Sequence, residues 1–229
     1  MIKFFRKIRY NLMSENKMGK YFKYAIGEII LVVIGILIAL QINNWNEHRK
    51  TLNLETAFVE GVKKDLQADL KEIERIKTAA ERKVELFGIL KNDLLELYQN
   101  NKQKSDSLCK LYFVSQITFF PISGTFDAAV STNEIGKFKN RDLNSKIMKL
   151  YNATYQRLLN NGDIMDERWN FISQTYGYER MVGKLKNNMS NDELLHFLGD
   201  LSYNTKVNEY YKNKLEEAEI EIKNILAYD

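Results

Sequence analysis

The chain has 229 residues, of which 45% are hydrophobic and 28% are charged, and its formal net charge is +4. Residues 1–50 contain nine Lys and Arg against three Asp and Glu, whereas residues 51–229 contain twenty-five against twenty-seven. The basic excess therefore belongs to the N-terminal segment. This removes the main reason to suspect nucleic-acid binding, which needs a basic face on the folded domain, and we expect no nucleic-acid partner.

An apolar stretch near the N-terminus predicts a membrane-spanning helix. No polar side chain occurs from Ile29 to Leu40, and apolar and aromatic flanks extend this stretch to about 20 residues, enough to cross a bilayer core of about 30 Å. We assign the transmembrane helix to residues 21–46. Trp45 lies where interfacial aromatic residues anchor such a helix, and it is the predicted interface anchor.

The charges that flank this stretch predict its orientation. Residues 1–23 carry seven basic side chains and one acid, which predicts a cytoplasmic N-terminus. A buried core helix does not explain this asymmetry, and residues 39–43 lack the small-residue pattern of a cleaved signal peptide. We therefore expect an uncleaved single-pass anchor, with the rest of the chain on the other side of the membrane from the N-terminus. Residues 1–20 form the cytoplasmic leader, either an amphipathic helix on the leaflet or a disordered basic tail.

Residues 47–229 are predicted to form an α-helical domain outside the cytoplasm, which the resemblance described below implies is periplasmic. Apolar residues from Phe58 to Leu97 recur at an average spacing of roughly 3.5 residues, as in coiled coils, which predicts one long amphipathic helix. A turn over residues 100–106 and a short helix over 108–116 follow. The sequence then breaks at residues 119–124, around the single proline.

Further helical segments follow this break. Beyond it we predict a helix over 126–131 capped by Thr125, and then a loop over 133–140. A long helix is predicted from about 142 to 172, with a kink near 160–163, followed by a linker over 183–191. A helix to 201 begins with a Ser190–Glu193 capping box, and a last helix runs from 204 to 226. The predicted fold class is all-α: an N-terminal transmembrane helix continuing towards a long amphipathic helix, and an elongated periplasmic helical bundle.

The segment Lys23-Tyr-Ala-Ile-Gly-Glu-Ile-Ile-Leu-Val-Val-Ile-Gly-Ile-Leu-Ile-Ala-Leu-Gln-Ile-Asn-Asn-Trp-Asn-Glu47 resembles an uncharacterised family of single-span membrane proteins common in Bacteroidota. Residues 1–10 and the Phe126-Asp127-Ala128 stretch are also similar to it, although residues 131–135 depart from its usual Ser-Gly-x-Leu pattern. The resemblance implies an inner-membrane protein with a periplasmic domain and no assigned activity.

That resemblance also implies a possible modification site. Asp106-Ser107-Leu108 matches the Asp-Ser/Thr-aliphatic pattern at which periplasmic proteins of that phylum carry O-glycans, so Ser107 is a possible O-glycan acceptor. A chance match of three residues is the alternative. The predicted location in an exposed turn favours modification.

The predicted membrane helix carries one acidic residue, Glu28. Gly35 and Ala39 follow it on the same helix face and form a small-x-x-x-small pair, which allows close helix approach. Glu28, Gly35 and Ala39 are therefore the predicted contact face of the membrane helix, where Glu28 meets a polar group of a partner. The alternative places Glu28 at the headgroup level beside Lys20 and Lys23.

No set of residues predicts catalysis. His196 lies between Asp192 and Asp200 at helical spacing, but a solvated polar face is the expected interpretation. No phosphate-binding loop, nucleophile elbow, CxxC or HExxH motif occurs, and the acids at 163–167 do not match a calcium loop. We expect no enzyme activity, cofactor or metal.

These observations support two hypotheses about function. The first is a membrane-anchored periplasmic interaction or scaffold module, an accessory subunit of an inner-membrane assembly that contacts protein partners or forms a homo-oligomer. The second is a ligand-binding sensor domain that signals through a membrane partner, since helical bundles can hold ligands between their helices.

Overall fold

The computed structural model describes Arg6, Tyr10 and residues 18–114 and 116–228, with backbone only at 18, 20 and 21. Most of the predicted leader therefore lies outside the described residues. All regular structure in the described part is helical, which confirms the all-α prediction. The helices are α1 Met18–Asn100, α2 Lys102–Tyr112, α3 Gly124–Ser131, a 3-10 turn Ile135–Lys137, α4 Arg141–Lys149, a π-helical segment Leu150–Tyr155, α5 Gln156–Thr175, α6 Gly177–Val182 and α7 Asn191–Leu226.

Helix α1 contains both the apolar stretch and the long amphipathic stretch. It is the one helix of the described residues that is long and apolar enough to span a membrane, with a window of mean hydropathy 2.6 near the N-terminus. None of that window is buried within the protein. A core helix of a soluble domain would bury its apolar side chains, so the exposure favours the membrane interpretation.

The chain divides into two units, residues 1–54 and residues 55–229. The second unit contains two clusters of buried apolar side chains. The larger cluster combines α1, α3 to α5 and the C-terminal half of α7, with Val62, Leu66, Ile73, Leu150 and Ile222 among its fully buried members. The smaller cluster combines the end of α1, α2, α5 and the start of α7, with Leu90, Leu94, Cys109, Ile172 and Leu194.

A layer of polar side chains on α7 separates the residues that enter these two clusters. Asn204, Thr205 and Asn208 are buried, and they lie between Leu201 of the smaller cluster and Tyr211 of the larger one. The amide of Asn204 donates to the Tyr112 hydroxyl at 3.0 Å. The predicted end of the helix at 201 is therefore wrong: these polar residues are bonded inside the unit and α7 continues through them.

The predicted kink near Asn160-Asn161-Gly162-Asp163 is also wrong, because these residues are regular α-helix. A Cβ on Gly162 would make an ordinary van der Waals contact with the Tyr211 hydroxyl at 3.5 Å, so the packing at this position does not require a glycine. The irregularity occurs earlier, at the π-helical segment, from which the Tyr151 hydroxyl donates to the Ile122 carbonyl at 3.1 Å and the Tyr155 hydroxyl donates to Asp69 at 2.7 Å. Such segments often re-aim side chains.

Several helix boundaries differ from the prediction. Helix α2 begins at Lys102, because the Asn101 side chain accepts a hydrogen bond from the Lys104 amide at 3.2 Å and caps the helix. Ser123, rather than Thr125, occupies the cap position of α3. The short helix α6 lies where no separate helix was predicted. The Ser190–Glu193 capping box is confirmed.

Candidate functional site

The predicted contact face of the membrane helix lies on the exposed side of α1. Ala39 is exposed, Glu28 is half-buried, and no heavy atom lies within 4 Å of where a Cβ on Gly35 would be. Trp45 is 62% exposed, and the Arg49 guanidinium lies 5.2 Å from its ring centre. These residues leave room for a neighbouring helix or lipid, and their assigned roles stay predictions.

Ser107 does not lie in a turn as predicted. It is an exposed residue within α2, and its hydroxyl donates to the Gln103 carbonyl at 2.8 Å. The preceding Asp106 accepts hydrogen bonds from the Lys102 ammonium at 3.1 Å and the Leu185 amide at 2.9 Å. The helical position removes the argument from an exposed turn, and glycosylation at Ser107 stays a prediction.

The acids near His196 do not form a metal site. The Asp200 carboxylate is engaged by Arg168, whose Nη2 atom donates at 2.8 Å, and by the Tyr176 hydroxyl, which donates at 2.7 Å. No group of three potential ligands occurs among the described residues. The sequence indicated a solvated polar face here. Asp200 instead belongs to a hydrogen-bond network with Arg168 and Tyr176.

Large side chains on α5 and α7 form a surface that we call the aromatic ridge: the exposed Ile164, Phe171, Tyr203 and Tyr210, together with Arg168, whose side chain is only 14% exposed. Arg168 joins the two helices, because its guanidinium carbon lies 4.6 Å from the Phe171 ring centre and 4.7 Å from the Tyr203 ring centre. Phe171 and Tyr203 are nevertheless 48% and 56% exposed. The guanidinium therefore holds two rings in place at the surface.

The ridge continues one heptad further along both helices. Ile164 precedes Phe171 by seven residues on α5 and is 53% exposed, and Tyr210 follows Tyr203 by seven on α7 and is 54% exposed. The helices run antiparallel, since Tyr176 pairs with Asp200 at one end and Thr154 with Glu221 at the other. Because the helices are antiparallel, Ile164 and Tyr210 lie towards the same end of the ridge, which spans about two helical turns.

The position of Arg168 is fixed from beneath. Its Nη2 atom donates to both the main-chain carbonyl of Asp200 at 2.9 Å and the carboxylate at 2.8 Å. Burial and the hydrogen bond to Asp200 raise the pKa of Tyr176, so this phenol remains a proton donor to the same carboxylate. A charged hydrogen-bond network thus fixes the guanidinium that contacts the Phe171 and Tyr203 rings.

Lys83 is a buried amine that the sequence analysis did not identify. Its Nζ atom lies 3.8 Å from the Trp169 ring centre and 5.7 Å from that of Tyr112. Within the described residues it has no hydrogen-bond acceptor, and burial, followed by the charge of Arg180, lowers its pKa to about 7. Its burial could have been predicted from its place in the apolar repeat, because it lies three residues after Ala80 and four before Phe87.

Comparison with known proteins gives one result. The model of a family of unknown function, DUF6090, matches residues 28–196, which is most of the chain. The match covers helices α2 to α6, most of α1 and the α5 half of the ridge. No curated protein and no solved structure matches the chain. The chain therefore belongs to the DUF6090 family of unknown function.

Proposed function

We propose that the protein is a membrane-anchored interaction module that binds an amphipathic helix of a partner protein on its aromatic ridge, as an accessory subunit of an inner-membrane assembly. The charge asymmetry around the apolar stretch supports a cytoplasmic N-terminus and a periplasmic helical domain. The absence of a catalytic motif from the sequence is consistent with binding rather than chemistry.

The ridge is the observation that carries this proposal. Tyr and Arg are enriched in the energetic centres of protein interfaces, and both occur here. The rings of Phe171, Tyr203 and Tyr210 are about half exposed. The Arg168 side chain is 14% exposed and contacts two of these rings. The Arg168 stack limits the side-chain motion of Phe171 and Tyr203, so that less conformational entropy is lost when a partner covers them.

The spacing of the ridge indicates the kind of partner. Each helix offers apolar side chains seven residues apart, Ile164 with Phe171 and Tyr203 with Tyr210. A partner helix that repeats apolar residues every three to four positions can place them between these two rows, as in helix-in-groove recognition. The same geometry accepts a second copy of the chain or another protein, and the mass of a cross-linked product distinguishes them.

Site-specific photo-cross-linking tests the ridge in native membranes. A photoreactive phenylalanine analogue at position 203 or 210 is expected to give the same discrete adduct in both cases. At Ile220, which is 60% exposed on α7 and lies about 100° around the helix from Tyr203, it should give none. Cross-linking from position 220 as strong as from 203, or no adduct at either ridge position, contradicts the proposal.

A substitution within the ridge separates binding from folding. Phe171→Ala should weaken the adduct formed from position 203, while the thermal unfolding midpoint changes by less than about 3 °C, because the side chain is already 48% exposed. An adduct of unchanged yield in this variant would show that the ridge is not the contact surface.

The membrane helix offers a second contribution to assembly. Glu28, Gly35 and Ala39 lie on one face of α1, and the small residues allow a neighbouring helix to approach. Gly35→Ile should reduce co-purification of the partner in detergent, whereas Gly27→Ile, which changes another glycine of the same helix, should not. Glu28→Gln that assembles normally would rule out a role for the ionised carboxylate.

A further inference from the structure

An open cleft with a volume of about 710 Å³ lies where α3, the 3-10 turn and α4 meet. Its walls include Val130 and Met148, which are 46% and 41% exposed although both are apolar. Phe138 closes the inner side, where its ring packs 5.2 Å from that of Phe58. The cleft therefore offers an apolar surface to solvent on helices other than those of the aromatic ridge.

A buried amide lies at this cleft without a partner. Asn144 lines the cleft and is only 6% exposed, and neither its Nδ2 nor its Oδ1 atom has a hydrogen-bond partner among the described residues. Folded proteins rarely leave both the donor and the acceptor of a buried side chain unsatisfied. Met148, one turn further along α4, lines the same cleft and has a flexible side chain that can adapt to a ligand.

The charge at the cleft is positive. Arg141 and Lys149 line it, and none of the described residues that line it is acidic. Lys149 is already paired with Glu221 at 2.6 Å. Arg141 is exposed and forms no ion pair with a described residue, so its guanidinium is the cation available to a ligand.

These features together specify the ligand. A carboxylate or a carbonyl alone would accept from the Asn144 Nδ2 atom and leave Oδ1 unpaired, whereas the N–H and C=O of one residue in an extended peptide point to the same side and supply both a donor and an acceptor. We infer that the cleft binds a short extended segment of another protein. The main-chain N–H and C=O of one of its residues pair with Asn144, its apolar side chain lies between Val130 and Met148, and its acidic side chain pairs with Arg141. This inference does not depend on the aromatic ridge.

The probe is a library of random heptapeptides displayed on phage. Binding peptides are selected from it on the full chain in detergent micelles. We expect enrichment of sequences with an acidic residue beside an apolar one. An enriched peptide, labelled with fluorescein, should bind Asn144→Leu at least roughly tenfold more weakly, while the thermal midpoint of that variant stays equal or rises because an unsatisfied buried amide has been removed. A purely structural asparagine would give a lower midpoint.

Two further measurements complete the test. Arg141→Gln should remove the preference for the acidic peptide over its Asp→Asn counterpart, whereas Arg82→Gln, an exposed arginine on α1, should not. Failure to enrich any sequence, enrichment of basic peptides, or equal binding to Asn144→Leu each overturns the inference. Binding of a free N-acetyl amino acid as tightly as the heptapeptide would identify a small-molecule site instead.

Discussion

The ammonium nitrogen of Lys83 lies 3.8 Å from the centre of the Trp169 ring, and the residue is only 5% exposed. The cation–π contact with the ring replaces part of the hydration that the charged amine would have in water. No described residue accepts a hydrogen bond from this amine. Lys83→Met retains the length of the side chain and removes the charge. At pH 7 we expect it to raise the thermal midpoint by roughly 5–10 °C.

The pH dependence of this effect has a definite sign. Burial lowers the pKa of Lys83 from 10.5 to about 7 in the folded state, so the unfolded chain binds more protons between these two values. Stability contributed by the neutral amine therefore increases as pH rises from about 7 to about 10. The advantage of Lys83→Met should shrink over that window, whereas Lys91→Met, at an exposed site on α1, should show no such trend.

Gly61 allows α1 to approach α3 closely. A Cβ at this position would lie 2.7 Å from the Thr125 Cγ2 atom. Gly61→Ala should therefore destabilise the protein by about 1–3 kcal/mol, although alanine normally favours a helix by about 1 kcal/mol. Gly88→Ala on the same helix, where no atom lies within 4 Å, should be stabilising. Thermal midpoints of both variants measure the contrast.

The double variant Gly61→Ala with Thr125→Ser tests the assigned contact. Serine lacks Cγ2, so the clash is removed and most of the lost stability should return. A double variant that is no more stable than Gly61→Ala would place the cause elsewhere.

Glu55 holds the start of α4. Its carboxylate accepts hydrogen bonds from the main-chain amides of Lys139 at 3.0 Å and Asn140 at 2.7 Å. Glu55→Gln replaces one acceptor oxygen with a donor and should cost about 1–3 kcal/mol. Glu60→Gln, at an exposed position one and a half turns further on, is the matched control. Hydrogen exchange at residues 139–144 should accelerate only in the first variant.

Asp69 should tolerate an amide better than an apolar residue. It accepts from the Ile122 amide at 3.1 Å and from the Tyr155 hydroxyl at 2.7 Å, and asparagine can keep both bonds if the phenol then acts as acceptor. Burial raises the pKa of Asp69, against the opposing effect of these bonds. We expect Asp69→Asn to be at least as stable as the unsubstituted protein, and Asp69→Ala to lose about 2–3 kcal/mol.

The sign of this pKa shift gives a second observable. Because the folded protein holds the Asp69 proton more tightly than the unfolded chain, stability is lost as pH rises from 3.8 through the folded pKa. Asp69→Asn removes this loss, so it should be more stable than the unsubstituted protein at neutral pH and lose that advantage at low pH. Asp93→Asn, at an exposed site, should show neither effect.

Local patterns were sufficient to predict much of the fold. The apolar stretch, the repeat from Phe58 to Leu97 and the Ser190–Glu193 box depend on residues close in sequence, and the structure confirms the helices that they predict. Lys83 and Asn204 could not be interpreted in this way. Their burial depends on rings and hydroxyls supplied by α2 and α5, which are remote in sequence.

The ridge shows a similar limit. Tyr203 and Tyr211 occupy the same helix, yet Tyr203 is 56% exposed whereas Tyr211 is fully buried and accepts from the Phe119 amide at 2.9 Å. The apolar repeat of α7, which includes Tyr211, Leu215 and Ile222, predicts that Tyr211 faces inwards, but it does not show what lies beside Tyr203. Only the direction in which α5 packs on α7 shows that Phe171 and Tyr203 share Arg168.

The polar layer on α7 limits how that helix can move. Asn204 and Thr205 bond to Tyr112, and Asn208 bonds to Gln116. A slide of one turn, about 5.4 Å, would carry these groups among leucines and bring Leu201 or Tyr211 against polar partners. Small axial shifts of α7 are therefore heavily penalised, so a motion of this helix within the unit would have to be a rotation or a separation rather than a translation.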